Sequence, residues 1–386
     1  MPRWLDELHE DLERLDAAFL RRQLVPIDRV ETGNSPMLAS GCRIERGGKT
    51  LINFASNDYL ALSDHPHLKQ AASQATMDWG TGSGASRLVT GHLSIHAQVE
   101  RRFAAFKHAE AALLCATGYL ANLAVLSTLA RPGDLICIDK LCHASLIDAA
   151  QGSGATVRVF PHLQLGKLER LLEGPMRQVQ QSEKESSPRK FIVTDSIFSM
   201  DGDAADLVAL CDLAEKHEAI LIVDEAHATG LLGASGAGLC EAQCVADRVD
   251  IVISTASKAL GGLGGIITAK QVVIDTLINH ARSFIYTTAV PASQAATIAA
   301  ALDVVRDEPW RRERVLALTA SVHDMLRASK FAPAFPFTGP PCSPIVPIIT
   351  GSPAAALALA SHLAEQGIHA PAIRPPPWHP MQRGFA

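Results

Sequence analysis

Apolar residues recur at helical spacing near the start of the chain: Trp4, Leu8, Leu12, Leu15 and Phe19 share one face, with Asp6, Glu7, Glu10 and Glu13 opposite. The spacing predicts an amphipathic helix that docks on an apolar surface. From about residue 110 the pattern changes to short β-rich runs at Leu135–Ile138, Val157–Phe160, Phe191–Val193, Ile220–Val223, Ile251–Ser254 and Gly265–Thr268, separated by longer Ala- and Leu-rich stretches. That alternation predicts an α/β fold, a mostly parallel sheet with helices on both faces. The run GPMRQVQQSEKESSPRK at 174–190 is polar and aperiodic and reads as a surface loop. After Pro291 an Ala-rich helical stretch leads to a strand at Ile345–Ile349. A helix follows, with Ser352 as N-cap, Pro353 in its first turn and Gly367 just past its end. The expected organisation is a helical arm over 1–50, a large domain over 51–290 and a small C-terminal domain over 291–386.

Composition narrows the partners. A chain of 386 residues with 47% hydrophobic and 19% charged side chains can bury one large core and a smaller one, which excludes a disordered or fibrous protein. With 35 basic and 40 acidic residues, a net charge of −5 and no basic run, the electrostatic footprint for nucleic acid or an anionic membrane is missing. Charges interrupt the first residues too often for a signal peptide, and no later stretch has the apolar length of a membrane span. A cytoplasmic protein acting on small molecules is expected. The eight cysteines include no Cys-x-x-Cys pair, and Cys240 with Cys244 lacks the further ligands of a zinc site, so reduced thiols and no metal are expected.

Ligands of open parallel sheets bind beyond the carboxyl ends of the strands. Here those ends are polar: Ile220–Val223 runs into Asp224-Glu-Ala-His227, Ile251–Ser254 into Thr255-Ala-Ser-Lys258, and Phe191–Val193 into Thr194-Asp195 and then Ser199-Met-Asp-Gly202. A carboxylate at a strand end can keep a pyridine nitrogen protonated, the condition for a pyridoxal ring to act as an electron sink. Asp224 suits that role, Lys258 suits covalent attachment of the cofactor, and His227 could reach the ring's phenolic oxygen. Thr117-Gly118-Tyr119 opens a helical stretch whose N–H groups could hold the phosphate, with Thr255 adding a hydroxyl. His143 could stack on the ring. Singly, each residue has a plainer reading: an N-cap, a surface histidine, or, for Gly261–Gly265, glycines that let backbone pass close to a neighbour. Their joint occurrence at successive strand ends favours a site.

These residues resemble the α-oxoamine synthase family of fold-type I pyridoxal-phosphate enzymes, over about Asn53 to Arg374. The marks are Asn53-Phe-Ala-Ser-Asn-Asp-Tyr-Leu60, Gly82-Ser-Gly-Ala-Ser-Arg-Leu-Val89, Gly91, His96, Glu100, His143-Ala-Ser-Leu146, Phe198-Ser-Met-Asp-Gly-Asp203, Asp224-Glu-Ala-His227, Ser257-Lys258 and Ile373-Arg-Pro-Pro376. The resemblance implies a large seven-stranded-type sheet domain, a smaller C-terminal α/β domain, an N-terminal helical arm and a homodimer. It implies Lys258 as the cofactor-bearing residue, Asp224 as partner of the pyridine nitrogen, His227 and Ser199 on the phenolic oxygen, and His143 stacked on the ring. Gly118, Tyr119 and Thr255 would hold the phosphate. Asn57 and Arg374 would handle the substrate, Arg374 clamping the amino-acid carboxylate, and Arg21 would meet the acyl group. The implied reaction is decarboxylating condensation of an amino acid with an acyl thioester. Ser86-Arg-Leu-Val-Thr-Gly91 looks like the oxononanoate-forming branch, which would take L-alanine and a pimeloyl thioester on coenzyme A or a carrier protein, in biotin biosynthesis.

The resemblance also sets an expectation about the end of the chain. Pro377-Trp-His-Pro-Met-Gln-Arg-Gly-Phe-Ala386 has neither helical nor strand periodicity, where the family continues with a strand and helix, and a small domain incomplete after Arg374 is expected. The competing readings are a glycine-using synthase on the same scaffold, forming 2-amino-3-oxobutyrate or 5-aminolevulinate, and a cofactor-binding protein of impaired catalysis. A metalloenzyme using Asp224, His227 and His143 finds no supporting ligand spacing.

Overall fold

The computed structural model describes residues 3–30, 42–174, 187–330, 332–334 and 342–374, and the chain divides into two compact units. The first contains Met1–Ser56, Met325–Thr338 and Pro347–Ala386. It opens with α1 (Arg3–Ala17), which forms where the periodicity predicts, but none of its residues is buried, and Trp4, Leu8, Leu12 and Phe19 are exposed. Strands β1 (Asp28–Arg29), β2 (Arg43–Arg46) and β3 (Lys49–Asn53) form an antiparallel ladder.

The second unit, Asn57–Asp324 with Gly339–Val346, carries a seven-stranded sheet. Its strands are β4 (Ala111–Cys115), β5 (Leu135–Asp139), β6 (Thr156–Phe160), β7 (Lys190–Asp195), β8 (Ala219–Asp224), β9 (Ile251–Thr255) and β10 (Gly265–Ala269), in the order β4-β10-β9-β8-β7-β5-β6. In chain order its helices are α2 (Pro66–Trp79), α3 (Ser94–Phe106), α4 (Gly118–Leu129), α5 (Ala144–Gly152), α6 (Leu165–Glu173), α7 (Leu207–Lys216), α8 (Leu239–Ala242), α9 (Gln271–His280), α10 (Arg282–Ile285), α11 (Ala292–Asp307) and most of α12 (Trp310–Arg327). The first unit is completed by α13 (Pro353–Glu365) and β11 (Ile368–His369), which pairs parallel with β3.

Apart from the edge strand β6, the large sheet is buried on both faces, which is why its strands read as continuous apolar runs. Alternate residues sort to opposite sides: Ile136 and Ile138 pack with Val125 of α4 and Leu146 of α5, while Leu135 and Cys137 pack with Leu168 of α6 and Leu210 of α7. A third cluster joins Ala112, Leu114 and Ile266 to Phe103 of α3 and Ile298 of α11.

Strands β5 to β9 are parallel as expected, but β10 runs antiparallel to both β9 and β4. No strand forms at Ile345–Ile349: Pro344 and Pro347 remove backbone donors, and Ile349 N bonds only Ala334 O, 2.9 Å away. Helix α11 groups with the large unit, not with the C-terminal one, because Ala292 and Ala296 pack on Ala75 of α2. The helix N-cap at Ser352 forms as expected, its hydroxyl accepting from Ala355 N at 3.2 Å, and Gly367 follows with φ +82°. Most of the polar run at 174–190, and the tail after Arg374, lie outside the described residues.

Candidate active site

The carboxyl ends of β7, β8 and β9 bring together the polar residues that follow them. Asp195 and Asp224 are register partners on neighbouring strands. Asp224 accepts hydrogen bonds on both oxygens, from Ala226 N and from Asn122 Nδ2 of α4, each at 2.8 Å. Asp195 accepts from His143 N at 3.1 Å through Oδ2, and its buried Oδ1 has no partner. Burial, and then the charge of Asp224, push the Asp195 carboxyl well above the usual carboxylate range.

Lys258 lies three residues beyond β9 in a loop closed by Ala256 N to Gly264 O (2.9 Å) and Gly262 N to Ala256 O (2.8 Å). Its half-buried amine makes no hydrogen bond to the described residues. Burial lowers its pKa, with Asp224 and Asp195 acting in the opposite sense. The result is an amine closer to nucleophilic, proton-carrying behaviour than a surface lysine.

Two neutral imidazoles flank it. His227 is pushed down to about 3 by burial, Lys258 and His143. Its Nδ1 lies 2.7 Å from the hydroxyl of Tyr59, whose own pKa burial raises, so the phenol keeps its proton and donates. His143 caps α5, its Nδ1 accepting from Ser145 N at 3.2 Å. Burial lowers its pKa, Asp224 opposing and Lys258 reinforcing.

The N-terminus of α4 adjoins this cluster. Thr117 caps α4 by accepting from Leu120 N at 3.2 Å, while Gly118 and Tyr119 occupy the first turn, whose N–H groups have no intrahelical acceptor. The approach of β10 is tight: a Cβ on Gly265 would lie 2.3 Å from Thr117 O, so the plain reading of that glycine holds. Thr255 sits beside Gly118, but its hydroxyl donates to Gly264 O at 3.0 Å and accepts from Ser257 Oγ at 2.8 Å. Tyr119 presents its hydroxyl to Asp148 at 2.5 Å. Ser199 is half-buried in a turn closed by Gly202 N to Phe198 O (2.8 Å). His162 braces that turn, bridging Asp139 and Asp203 at 2.9 Å each.

Of the expected substrate residues, Asn57 belongs to the large unit, where its side chain lies 3.4 Å from Tyr59 Oη. Arg374 and Arg21 belong to the first unit: Arg374 Nη1 donates to the carbonyls of Phe19 and Arg21 at 3.0 Å, and Arg21 pairs with Asp16 at 2.6 Å. His96 and Glu100 are braces. His96 is buried between Leu93 N and Val290 O, and Glu100 holds Arg87 with both oxygens. Sequence reasoning assigned no role to Asn122, Ser145, Tyr59 or His162, and the only cue for Tyr59 and Ser145 was membership of quoted motifs.

The cluster fits pyridoxal phosphate on its own chemistry. It offers an unbonded half-buried amine, a doubly hydrogen-bonded carboxylate, an unsatisfied buried carboxyl oxygen, two neutral imidazoles and a free helix N-terminus for the phosphate. Comparison with known proteins agrees. The family model for aminotransferase class I and II matches residues 49–383. The 8-amino-7-oxononanoate synthase of Anaeromyxobacter dehalogenans is 42% identical over 372 residues, covering 96% of this chain and 87% of that protein. This chain belongs to the 8-amino-7-oxononanoate synthase family.

Solved structures carry the same architecture. Serine palmitoyltransferase from S. paucimobilis, with bound PLP and myriocin, superposes with a TM-score of 0.84 at 27% identity, over 97% of this chain and 89% of that one. The 8-amino-7-oxononanoate synthase of Francisella tularensis gives 0.71 at 29% identity, over 84% and 89%. The protein is therefore a fold-type I, pyridoxal-phosphate-dependent acyltransferase. Among the described residues no helix is long and apolar enough to cross a membrane.

Proposed function

We propose that the protein condenses L-alanine with a pimeloyl thioester, releasing the carrier thiol and carbon dioxide, to give 8-amino-7-oxononanoate for biotin biosynthesis. The observation that carries this reading is the convergence of Lys258, Asp224, His227 and His143 beside the α4 N-terminus, in a chain whose relatives bear that enzyme's name. The bound cofactor supplies a conjugated ring that delocalises the electron pair left at the amino acid's α-carbon.

The chain's own residues do the rest. Lys258, with its depressed pKa, would hold the cofactor and would serve as the base for the amino acid's α-proton. Asp224, fixed by Asn122 Nδ2 and Ala226 N, holds the pyridine nitrogen protonated. His227 is held by Tyr59 with its Nε2 proton free to donate to the phenolic oxygen, and Ser199 supports the same atom. His143 covers the ring. The N–H groups of Gly118 and Tyr119 hold the phosphate, with the hydroxyls of Thr255 and Ser257 beside them. Asn57 would orient the amino-acid substrate from the large unit. The working form is a homodimer.

The test is product analysis by mass spectrometry with alanine or glycine against pimeloyl-coenzyme A and shorter acyl thioesters. Formation of the nine-carbon amino ketone from alanine alone supports the reading. Preferential use of glycine and a short acyl thioester assigns the chain to the glycine branch, and cofactor binding without product assigns it a binding role. Lys258→Ala should abolish turnover.

A further inference from the structure

We propose that Ser145 and Asn122 are positioning residues that lock His143 as a neutral imidazole carrying its proton on Nε2 and tie that ring to Asp224. The proposal rests on the reading of the cofactor site above. Its observation is a continuous buried chain of polar atoms: Asp224 Oδ2 to Asn122 Nδ2 (2.8 Å), Asn122 Nδ2 to Ser145 Oγ (2.8 Å), and Ser145 Oγ to His143 Nδ1 (2.7 Å). Asn122 and Ser145 are 2% and 1% exposed, so water does not compete for these bonds.

The direction of each bond follows from the chemistry of its ends. Asp224 offers acceptors, so the amide of Asn122 must turn its NH2 group toward it; the flipped amide would set two oxygens against each other. The second hydrogen of the same NH2 points at Ser145 Oγ, which therefore accepts. The single proton of Ser145 is left for His143 Nδ1. That nitrogen also accepts Ser145 N–H at 3.2 Å, so two donors fill it. A neutral imidazole whose Nδ1 accepts carries its proton on Nε2.

Asn122 spends both N–H groups this way, and its own Oδ1 stays buried without a partner. An unsatisfied buried oxygen is uncommon, and it fits an amide selected for two donors. The consequence for chemistry is specific. Nδ1 has no lone pair to spare and Nε2 has none, so His143 acts as a flat hydrogen-bond donor and proton transfer falls to Lys258. The charged groups acting on the ring are Asp224, Lys258 and Asp148, and Asp195 holds the same residue by its backbone N–H. His227 is a further titratable neighbour.

The experiment is a long-range proton–nitrogen correlation spectrum of the apoprotein labelled with 15N-histidine, the His143 signals being assigned by their loss in His143→Gln. Wild type should show Nδ1 without a proton and Nε2 with one, unchanged from pH 6 to 8. Ser145→Ala should shift His143 toward the Nδ1–H tautomer or into protonation within that range, and Ser145→Thr should restore the wild-type pattern. Asn122→Asp offers a second route: its carboxylate would draw the Ser145 proton away and produce the same change. Wild-type spectra in both Ser145→Ala and Asn122→Asp, each folded by circular dichroism, would overturn the proposal. In the holoenzyme, Asn122→Ala should weaken cofactor affinity about tenfold or more, the effect of losing a hydrogen bond to a charged group. The spectra need no cofactor, whereas the cofactor reading fails separately if Lys258→Ala leaves the visible absorbance of protein with pyridoxal phosphate unchanged.

Discussion

Asp195 and Asp224 end neighbouring parallel strands at the same register, two carboxyl groups with opposite surroundings. Asp224 receives two N–H donors on its side chain, whereas Asp195 receives one and keeps a buried oxygen unpartnered. Burial, and then its neighbour's charge, push the Asp195 carboxyl well above its usual range, so an amide should replace it at little cost. Asp195→Asn should leave cofactor affinity within about threefold. On the proposed cofactor site, Asp224→Asn would lose a charge-assisted bond to the pyridine nitrogen and should weaken affinity by about 10- to 100-fold. Equilibrium dialysis of the two variants checks the contrast; equal losses would refute it.

That contrast also shows what the sequence made legible. Lys258, Asp224, His227 and His143 could be read because each follows an apolar run, and strand ends are where an open α/β sheet places its chemistry. The roles of Asn122 and Ser145 could not. An asparagine inside a helix looks neutral until the strand that faces it is known, and Ser145 reads as an ordinary first-turn residue. Strand β4 was missed because Ala-Ala-Leu-Leu-Cys lacks the β-branched residues that mark its neighbours. The reversed direction of β10 was illegible for a different reason: pairing direction is decided by the length of the connection and by what the far side of the strand meets.

His162 sits between Asp139 and Asp203, and although burial works against its charge, the hydrogen bonds its ring donates to both carboxylates raise its pKa to about 9. Its unperturbed value is 6.5, so the stability it contributes is complete below that pH and is lost as pH rises toward 9. Thermal unfolding should therefore show a decline in Tm over that window which His162→Gln removes. A variant with the same slope as wild type would place the titration elsewhere.

Gly265 faces Thr117 and Gly118 so closely that an added Cβ would also lie 2.7 Å from Gly118 Cα. Gly265→Ala should push the first turn of α4 away from β10, weakening phosphate binding as well as folding. Cofactor affinity measured at a temperature where the variant is fully folded separates the two effects.

Lys107 is buried with Glu225 at 2.5 Å and also meets Thr229 at 2.7 Å and the carbonyl of Ala237. Lys107→Met leaves Glu225 buried and uncompensated and should cost about 3–5 kcal/mol in denaturant unfolding. Glu225 immediately follows Asp224, so the same variant should loosen the cofactor.

The antiparallel return of β10 has a mechanical consequence for Lys258. Other strand ends of the sheet lead away through crossovers, but the lysine's loop leaves and re-enters at the same end, with Thr255 and Gly265 paired at its two feet. A backbone fastened at both ends has little room to swing. In the proposed mechanism the amine's travel between cofactor and substrate would come from rotation about its own four methylene carbons, which makes its reach a property of side-chain length: replacing Lys258 by a shorter amine would strand the proton carrier even where the charge is kept.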